Sequence, residues 1–284
     1  MTAKAVSKTK HRAVICLGSL QANPDALRFA ERIIRALGMQ LILLMATHGK
    51  EEQAQAALER AQALLSTEPE AMVISPGELD AVLHNELDPQ QHELIVLGAS
   101  LDPSDRLAIA IARRLASRET DSLLFIRNPP PSMARILICS GGHAGSNYVI
   151  ERGLNLAKAL ETQATILHVV SSMPSMYTGL PAVQEGLTDI LARDMPLSRH
   201  LREAARRAHD LGVQAKLELR HGVVAEEILR ACEVTPYDLI VMGAPEPGQV
   251  LERLALGEVA PEMLASAKVS LLIARTAPSN PASA

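Results

Sequence analysis

The chain has 284 residues and a formal net charge of −4, so it lacks the basic field with which nucleic-acid-binding proteins neutralise phosphates. Aromatic residues make up only 2% of it and tryptophan is absent, which also argues against base-stacking platforms. Its length and its hydrophobic content of 48% favour two domains with aliphatic cores.

The chain also lacks the marks of a membrane or secreted protein. No stretch approaches the ~18 consecutive apolar residues of a transmembrane helix, and the polar N-terminus has no apolar signal segment. The three cysteines, Cys16, Cys139 and Cys232, stand inside apolar runs without a CxxC pair. We therefore expect buried free thiols in a reducing compartment, with no disulfide and no zinc site.

Taken in chain order, the predicted elements alternate between strands and helices. The apolar runs AVICL, LILLM, AMVIS, LIVLG and SLLFI are typical of parallel strands buried on both faces. The first helix is predicted to start at Asn23-Pro24, and Leu27, Ala30 and Ile34 fall on its apolar face. Gly212 is predicted to end a helix of the second half. Five strands with helical crossovers indicate a doubly wound α/β domain, whose ligand crevice lies at the carboxyl ends of the strands.

The second half of the chain repeats the first. RAVICLGS (12–19) matches RILICSGG (135–142), LGMQLILLM (37–45) matches LETQATILH (160–168), HELIVLGAS (92–100) matches YDLIVMGAP (237–245), and SLLFIR (122–127) matches SLLIAR (270–275). Because the four matches keep their order, we predict two superimposable domains in a pseudo-twofold arrangement, joined by a proline-rich linker. The second copy carries an insertion (171–197), for which a flap, a partner surface and packing against the other domain are open alternatives.

A family resemblance lies in HGVVAEEILRACEVTPYDLIVMG (221–243) and LERLALGEVAPEMLASAKVSLLIAR (251–275). These stretches resemble the universal stress protein family, and two such domains, 1–130 and 131–284, cover nearly the whole chain. The resemblance implies two tandem doubly wound five-stranded parallel sheets of the flavodoxin-like, adenine-nucleotide alpha hydrolase-like α/β fold. It also implies a cytoplasmic, usually dimeric stress-response protein, whose domains pair through their fifth strands at or near the sheet edges.

Some members of this family bind ATP through G-x-x-G, nine residues, and then G-S or G-T, so that backbone amides and a hydroxyl contact the phosphates. In the second domain Gly243 matches the first glycine and Gly257 matches the last. Gly248 can stand in for the middle glycine, which is missing. Glu258 takes the place of the serine or threonine, and an anion there opposes phosphate.

The resemblance also places residues around the nucleoside. Ser140 stands at the position of the family's nucleoside-contacting aspartate, and Gly141 follows it. Val169 takes the second-strand position near the base. Met242 and Val259 flank the two matching glycines and complete the predicted site. Together these positions imply at most one weak adenine-nucleotide (ATP or AMP) site, in the second domain.

The first domain departs further from the pattern. After Gly98 comes ASLDPSDRLAIAIARRL, which contains no glycine, and Leu17 stands at the aspartate position. We expect no phosphate site there and interpret this domain as kept for folding and pairing.

The loop SGGHAGS (140–146) resembles the S-G-G-x-D-S loop of ATP pyrophosphatases, but its aspartate is absent. We favour a flexible strand-to-helix turn, then backbone contact with a ligand, and last an adenylating enzyme. His168 is expected to satisfy a local carbonyl, while His143 is expected to be exposed, with contact to a phosphate as its alternative role.

Three functional classes remain at this stage. The first is a non-catalytic binding module with one weak nucleotide site, and the second is an interaction or structural protein of the same fold with both sites lost. The third, the adenylating enzyme, is disfavoured, since no Ser/His/Asp set or metal-ligand spacing stands out.

Overall fold

The computed structural model describes residues 11–47, 49–85, 94–98, 106–116, 121–171, 186–244 and 259–275. The elements of the first half are β1 (Arg12–Leu17), α1 (Pro24–Ala36), β2 (Gln40–Thr47), α2 (Glu51–Ala63), β3 (Ala71–Pro76), α3 (Leu79–Asn85), β4 (Leu94–Leu97), α4 (Arg106–Ala116) and β5 (Ser122–Phe125). Those of the second half are β6 (Arg135–Ser140), α5 (Asn147–Ala159), β7 (Gln163–Ser171), α6 (Leu187–Ala192), α7 (Pro196–Leu211), β8 (Ala215–Gly222), α8 (Val224–Val234), β9 (Leu239–Gly243), α9 (Val259–Ser266) and β10 (Ser270–Ala274).

The two halves have the same strand order and share one sheet. The order is β3-β2-β1-β4-β5-β10-β9-β6-β7-β8, so each half reads 3-2-1-4-5 from its outer edge. Strands within a half pair in parallel, whereas β5 and β10 pair antiparallel. The predicted five-stranded parallel arrangement is therefore present twice, but the two sheets are continuous rather than separate. The described residues of both fifth strands are buried, and this pairing protects edges that would otherwise be open.

Helices cover both faces of the sheet, as expected for a doubly wound fold. One apolar cluster contains side chains of α1, α2, α5 and α7, and the other contains side chains of α3, α4, α8 and α9. Each cluster spans both halves, so the core is continuous across the joint between β5 and β10.

The helix ends follow the local sequence signals. The Asn23 side chain accepts hydrogen bonds from the backbone of Asp25 and Ala26, and Pro24 opens α1. Gly212, with φ of 70°, ends α7 in the left-handed conformation that favours glycine. These boundaries agree with the predicted helix start and stop.

Each fifth strand is followed by an arginine that reaches the other half. Arg127 donates from Nη1 to the carbonyl of Ala267 and from Nη2 to that of Leu264, both at 2.6 Å. In the mirror arrangement, Arg275 donates to the carbonyl of Ala116. Each guanidinium therefore satisfies carbonyls at the C-terminal end of a helix in the opposite half, where a positive charge is also favoured.

Serine side chains complete this joint. The Ser270 hydroxyl donates to the carbonyl of Arg127 at 3.0 Å and accepts the Arg127 N–H at 3.1 Å. Ser122 Oγ accepts the N–H of Arg275 at 3.1 Å. The repeated S-L-L-x-x-R sequence thus supplies the same contacts twice, once from each half.

The cysteines are free thiols, as expected. Burial raises the pKa of all three, that of Cys232 to about 11. A thiol with a raised pKa carries little thiolate at neutral pH, so these side chains are poor nucleophiles. Among the described helices, none is long and apolar enough to cross a membrane.

The described end of the insertion forms a helix packed on its neighbour. Ile190 of α6 is 5% exposed, and the Ser198 hydroxyl of α7 donates to its carbonyl at 2.5 Å. Residues 172–185 lie outside the described ranges, so the three alternatives for the insertion stay open.

Candidate functional site

The candidate site of the second half lies where the chain switches sides of the sheet. The chain runs from β6 to β7 and β8 on one side and then to β9 on the other, so β6 and β9 flank the switch point. In doubly wound folds ligands bind there, at the carboxyl ends of the strands. Ser140 and Gly243, which end these two strands, are therefore placed as the resemblance requires.

The Ser140 hydroxyl is already engaged by the chain. Its Oγ lies 2.7 Å from Nε2 of His200 on α7, and it accepts the backbone N–H of Gly142 at 3.1 Å. Both Ser140 and His200 are buried, at 8% and 7% exposed. A nucleoside would have to displace His200 to take over its hydrogen bond with the Ser140 hydroxyl. The binding role of Ser140 stays a prediction.

The glycine loop after Ser140 wraps around imidazole rings. Gly142 has φ of 79°, and a Cβ added to it would lie 2.4 Å from Cε1 of His168. A Cβ on Gly141 would lie 3.0 Å from Nε2 of His143. His143 is accordingly half-buried rather than exposed as expected, since its ring packs on this loop. Close packing of side chains accounts for both glycines without a bound phosphate.

His168 satisfies a local carbonyl, as predicted. Its Nδ1 lies 3.0 Å from the carbonyl oxygen of Ser140, which assigns the proton to that nitrogen. Burial lowers the pKa of His168 against the effect of this hydrogen bond, and the nearby imidazoles of His143 and His221 lower it further. Burial likewise lowers the pKa of His200, with His168 and His143 adding to the effect. The buried cluster of His168 and His200 therefore favours neutral rings.

This cluster predicts a loss of stability in mild acid. Because the folded pKa values of His168 and His200 are lowered, the unfolded chain binds their protons more readily. Their contribution is fully present above about pH 6.5 and is lost as the pH falls through the lowered values. We expect the urea concentration at the unfolding midpoint, measured by circular dichroism, to be lower at about pH 5.5 than at about pH 7.5. Both pH values lie above the range where most carboxylates titrate.

The matched comparison uses two variants. The double variant His168→Gln/His200→Gln should show a smaller difference in unfolding free energy between the two pH values, whatever its absolute stability. His209→Gln, which changes a side chain 91% exposed on the same helix as His200, should keep the full difference. An equal pH dependence in all three proteins would show that the buried cluster does not cause it.

Among the described residues, Ser140 and His200 lack the carboxylate that completes a hydrolase-like catalytic set. In such enzymes a carboxylate bonds the second ring nitrogen and orients the base. Nδ1 of His200 is buried and has no hydrogen-bond partner among the described residues. Nor does the described part of the chain contain a cluster of three His, Cys, Asp or Glu side chains that could hold a metal ion.

Gly243 also has a packing role. A Cβ added to it would lie 2.8 Å from Cγ2 of Val149 and 2.9 Å from the hydroxyl of Tyr148. That hydroxyl donates to the carbonyl of Ala244 at 3.2 Å. The first turn of α5 thus covers the backbone at the end of β9, where the family's first loop glycine stands. No motif or spacing indicated this role for Tyr148, although tyrosine is rare in the chain.

The remaining predicted site residues divide into two groups. Val169, Met242 and Val259 are 9%, 5% and 8% exposed and lie in one apolar cluster, so the fold brings them together as core side chains. Gly248, Gly257 and Glu258 lie outside the described residues. Whether Glu258 opposes the binding of phosphate is therefore a question for experiment.

Comparison with known proteins identifies the family. Residues 133–275 match the model of the universal stress protein family. Universal stress protein MJ0531 of Methanocaldococcus jannaschii is 30% identical over 154 residues, which cover 53% of this chain and 87% of that protein. The structure of a universal stress protein from Archaeoglobus fulgidus covers 93% of this chain and 97% of its own, with a TM-score of 0.63 and 11% identity. A putative universal stress protein from Pseudomonas aeruginosa covers 93% of both chains, with a TM-score of 0.61 and 15% identity. On the match of sequence and fold together, this chain belongs to the universal stress protein family.

Proposed function

We propose that this protein is a tandem, non-catalytic universal stress protein of the cytoplasm, with domains 1–130 and 131–284. In this proposal the second domain has at most one weak adenine-nucleotide site, and the first has no phosphate site. The two domains pair with each other through β5 and β10, in place of the pairing of separate subunits.

The observation that carries this proposal is the contact between Ser140 and His200. A nucleoside needs a free polar group at the end of β6, and here that group already has an imidazole at 2.7 Å and a backbone N–H at 3.1 Å. Displacing His200 would leave a second buried polar atom without a partner, which costs about 1–3 kcal/mol. The side chain at this position therefore favours weak binding over tight binding.

The same observation favours one alternative. If the imidazoles and Tyr148 fill the site completely, the protein binds no nucleotide and acts through its surface, as an interaction or structural protein of the same fold. An adenylating enzyme gains no support, because the aspartate of its loop is absent and His200 Nδ1 has no carboxylate partner among the described residues.

The test is calorimetry with ATP and with AMP. We expect weak binding by the native protein and an affinity gain of about tenfold to a hundredfold in Glu258→Ser. A charge-assisted contact to phosphate contributes about 1.5–3 kcal/mol, which corresponds to that range. Glu258→Ser supplies the hydroxyl that nucleotide-binding members have and removes a like charge.

The matched control is Glu233→Ser, which removes the same charge from the exposed last turn of α8. It should leave the affinity within about twofold, because this helix end leads into the start of β9, at the opposite end of the sheet from the candidate site. Tight ATP binding by the native protein would refute the weak site. No binding by either the native protein or Glu258→Ser would favour the interaction protein instead.

A further inference from the structure

The first half contains an open cavity at the end of the sheet where no phosphate site was expected. It has a volume of about 530 Å³ and lies at the carboxyl ends of β1, β2 and β3, closed on one side by α4. Its walls include Met45, Leu79 and Ile111, which are 2%, 6% and 5% exposed. A concave, largely apolar space of this size is in the range of small-molecule sites.

The cavity exists because the repeat has diverged at this end. When RAVICLGS is placed on RILICSGG, Leu17 aligns with Ser140, Met45 with His168, and Ala46 with Val169. The second half fills its site with imidazoles held by the Ser140 hydroxyl and carbonyl. In the first half the Met45 thioether replaces the His168 imidazole, Leu17 replaces Ser140 and the smaller Ala46 replaces Val169, so no imidazole or serine hydroxyl from these three positions occupies the same place.

The charges around the cavity limit what can bind. Lys50 and Glu78 both line it, and their charges offset each other. Glu51 and Glu52 follow Lys50 in the first turn of α2 and add negative charge nearby. Among the described residues, a polyphosphate would meet one ammonium and one carboxylate in the lining, with two more carboxylates in the adjoining helix turn, so this surface disfavours nucleotides. Thr47, 8% exposed, and Ser19 supply hydroxyls for a neutral polar group.

We propose that this cavity binds a compact, mainly apolar small molecule of no net charge, with its hydrogen-bonding end toward Thr47 and Ser19. The site is separate from the nucleotide site proposed for the second half. It gives the first domain a binding role of its own, beyond pairing with the second.

Leu107 offers a way to block the cavity without disturbing the core. It lines the cavity, yet it is 57% exposed on α4. Leu107→Arg places a charge beside the apolar walls and removes apolar contact surface. Val234, at the end of α8, is 71% exposed and does not line the cavity, so Val234→Arg makes a closely similar change elsewhere.

The probe is N-phenyl-1-naphthylamine, an uncharged aromatic amine that fluoresces when it enters apolar surroundings. We expect one probe per native chain, binding weakened about tenfold or more in Leu107→Arg, and binding within about twofold of native in Val234→Arg. Decanol should displace the probe more effectively than decanoate, and ATP should not displace it.

Three outcomes would overturn this proposal. Equal weakening by Leu107→Arg and Val234→Arg would assign the signal to exposed surface. Displacement by ATP would make the cavity a nucleotide crevice, and better displacement by decanoate than by decanol would make the ligand an anion. Because none of these measurements involves Ser140 or Glu258, the outcome is independent of the nucleotide test.

Discussion

Gly98→Ala is expected to destabilise the protein by about 3–4 kcal/mol. Gly98 follows β4 with φ of 97°, a conformation that costs a residue with a side chain about 1–3 kcal/mol. In addition, the new Cβ would lie 2.5 Å from the carbonyl oxygen of Ile126, so backbone must move at the joint between the halves. Few single substitutions exceed this cost, and strain at an unusual φ/ψ is one of the mechanisms behind the large values.

The matched control for this substitution is Gly38→Ala. Gly38 also has a positive φ, 67°, but a Cβ there would meet no atom within 4 Å. Gly38→Ala should lower the free energy of unfolding by only about 1 kcal/mol, because it has the conformational cost without the steric conflict. Urea unfolding followed by circular dichroism measures both. Equal losses in the two variants would mean that the close approach of Gly98 to Ile126 does not hold in solution.

Arg127→Ala is expected to lower the free energy of unfolding by about 3 kcal/mol. The guanidinium is 7% exposed and donates to the carbonyls of Leu264 and Ala267 at the end of α9. It also lies 4.8 Å from the centroid of the Phe125 ring. Charge-assisted hydrogen bonds contribute about 1.5–3 kcal/mol each, and the bare carbonyls would regain only part of this from water. Arg127→Lys should recover less than half of the loss, because an ammonium cannot reproduce the two-pronged geometry.

The control for Arg127 is an arginine at the same joint. Arg113 donates to the carbonyl of Pro261 in α9 but is exposed. Arg113→Ala should change the unfolding free energy by less than about 1 kcal/mol, as surface substitutions usually do. If Arg127→Ala and Arg113→Ala lower the free energy of unfolding equally, the burial of Arg127 does not strengthen its contribution to the stability of the joint.

The order of strands and helices along the chain and the fold class could be predicted because they depend on local signals. Apolar runs marked the strands, and Asn23 and Gly212 marked helix ends through capping chemistry. The four ordered matches also indicated the duplication. The joining of the two sheets into one was harder to predict from the sequence, since antiparallel pairing of β5 with β10 depends on groups far apart in the chain. The arginines of S-L-L-x-x-R were visible as a repeat, but their helix-end partners lie in the opposite half.

The two strand ends could be predicted, but the side chains around them could not. Ser140 and Gly243 end apolar runs that the sequence marks as strands, and the order of strands in the sheet places these runs beside the switch point. His200 and Tyr148, which engage Ser140 Oγ and the carbonyl of Ala244, had no recognisable spacing in the sequence. A contact between a strand end and a helix beyond an insertion is set by packing, and no local pattern encodes it.

The joint between β5 and β10 has a consequence for synthesis of the chain on the ribosome. Leu124 pairs with Leu272, so about half of the chain is made after β5 and before its partner. At typical elongation rates that interval is on the order of ten seconds. During it, the apolar outer edge of β5 has no native antiparallel partner, and such an edge is open to other nascent chains. We therefore expect chaperones that cover this edge to protect the newly made first half from aggregation until β10 emerges.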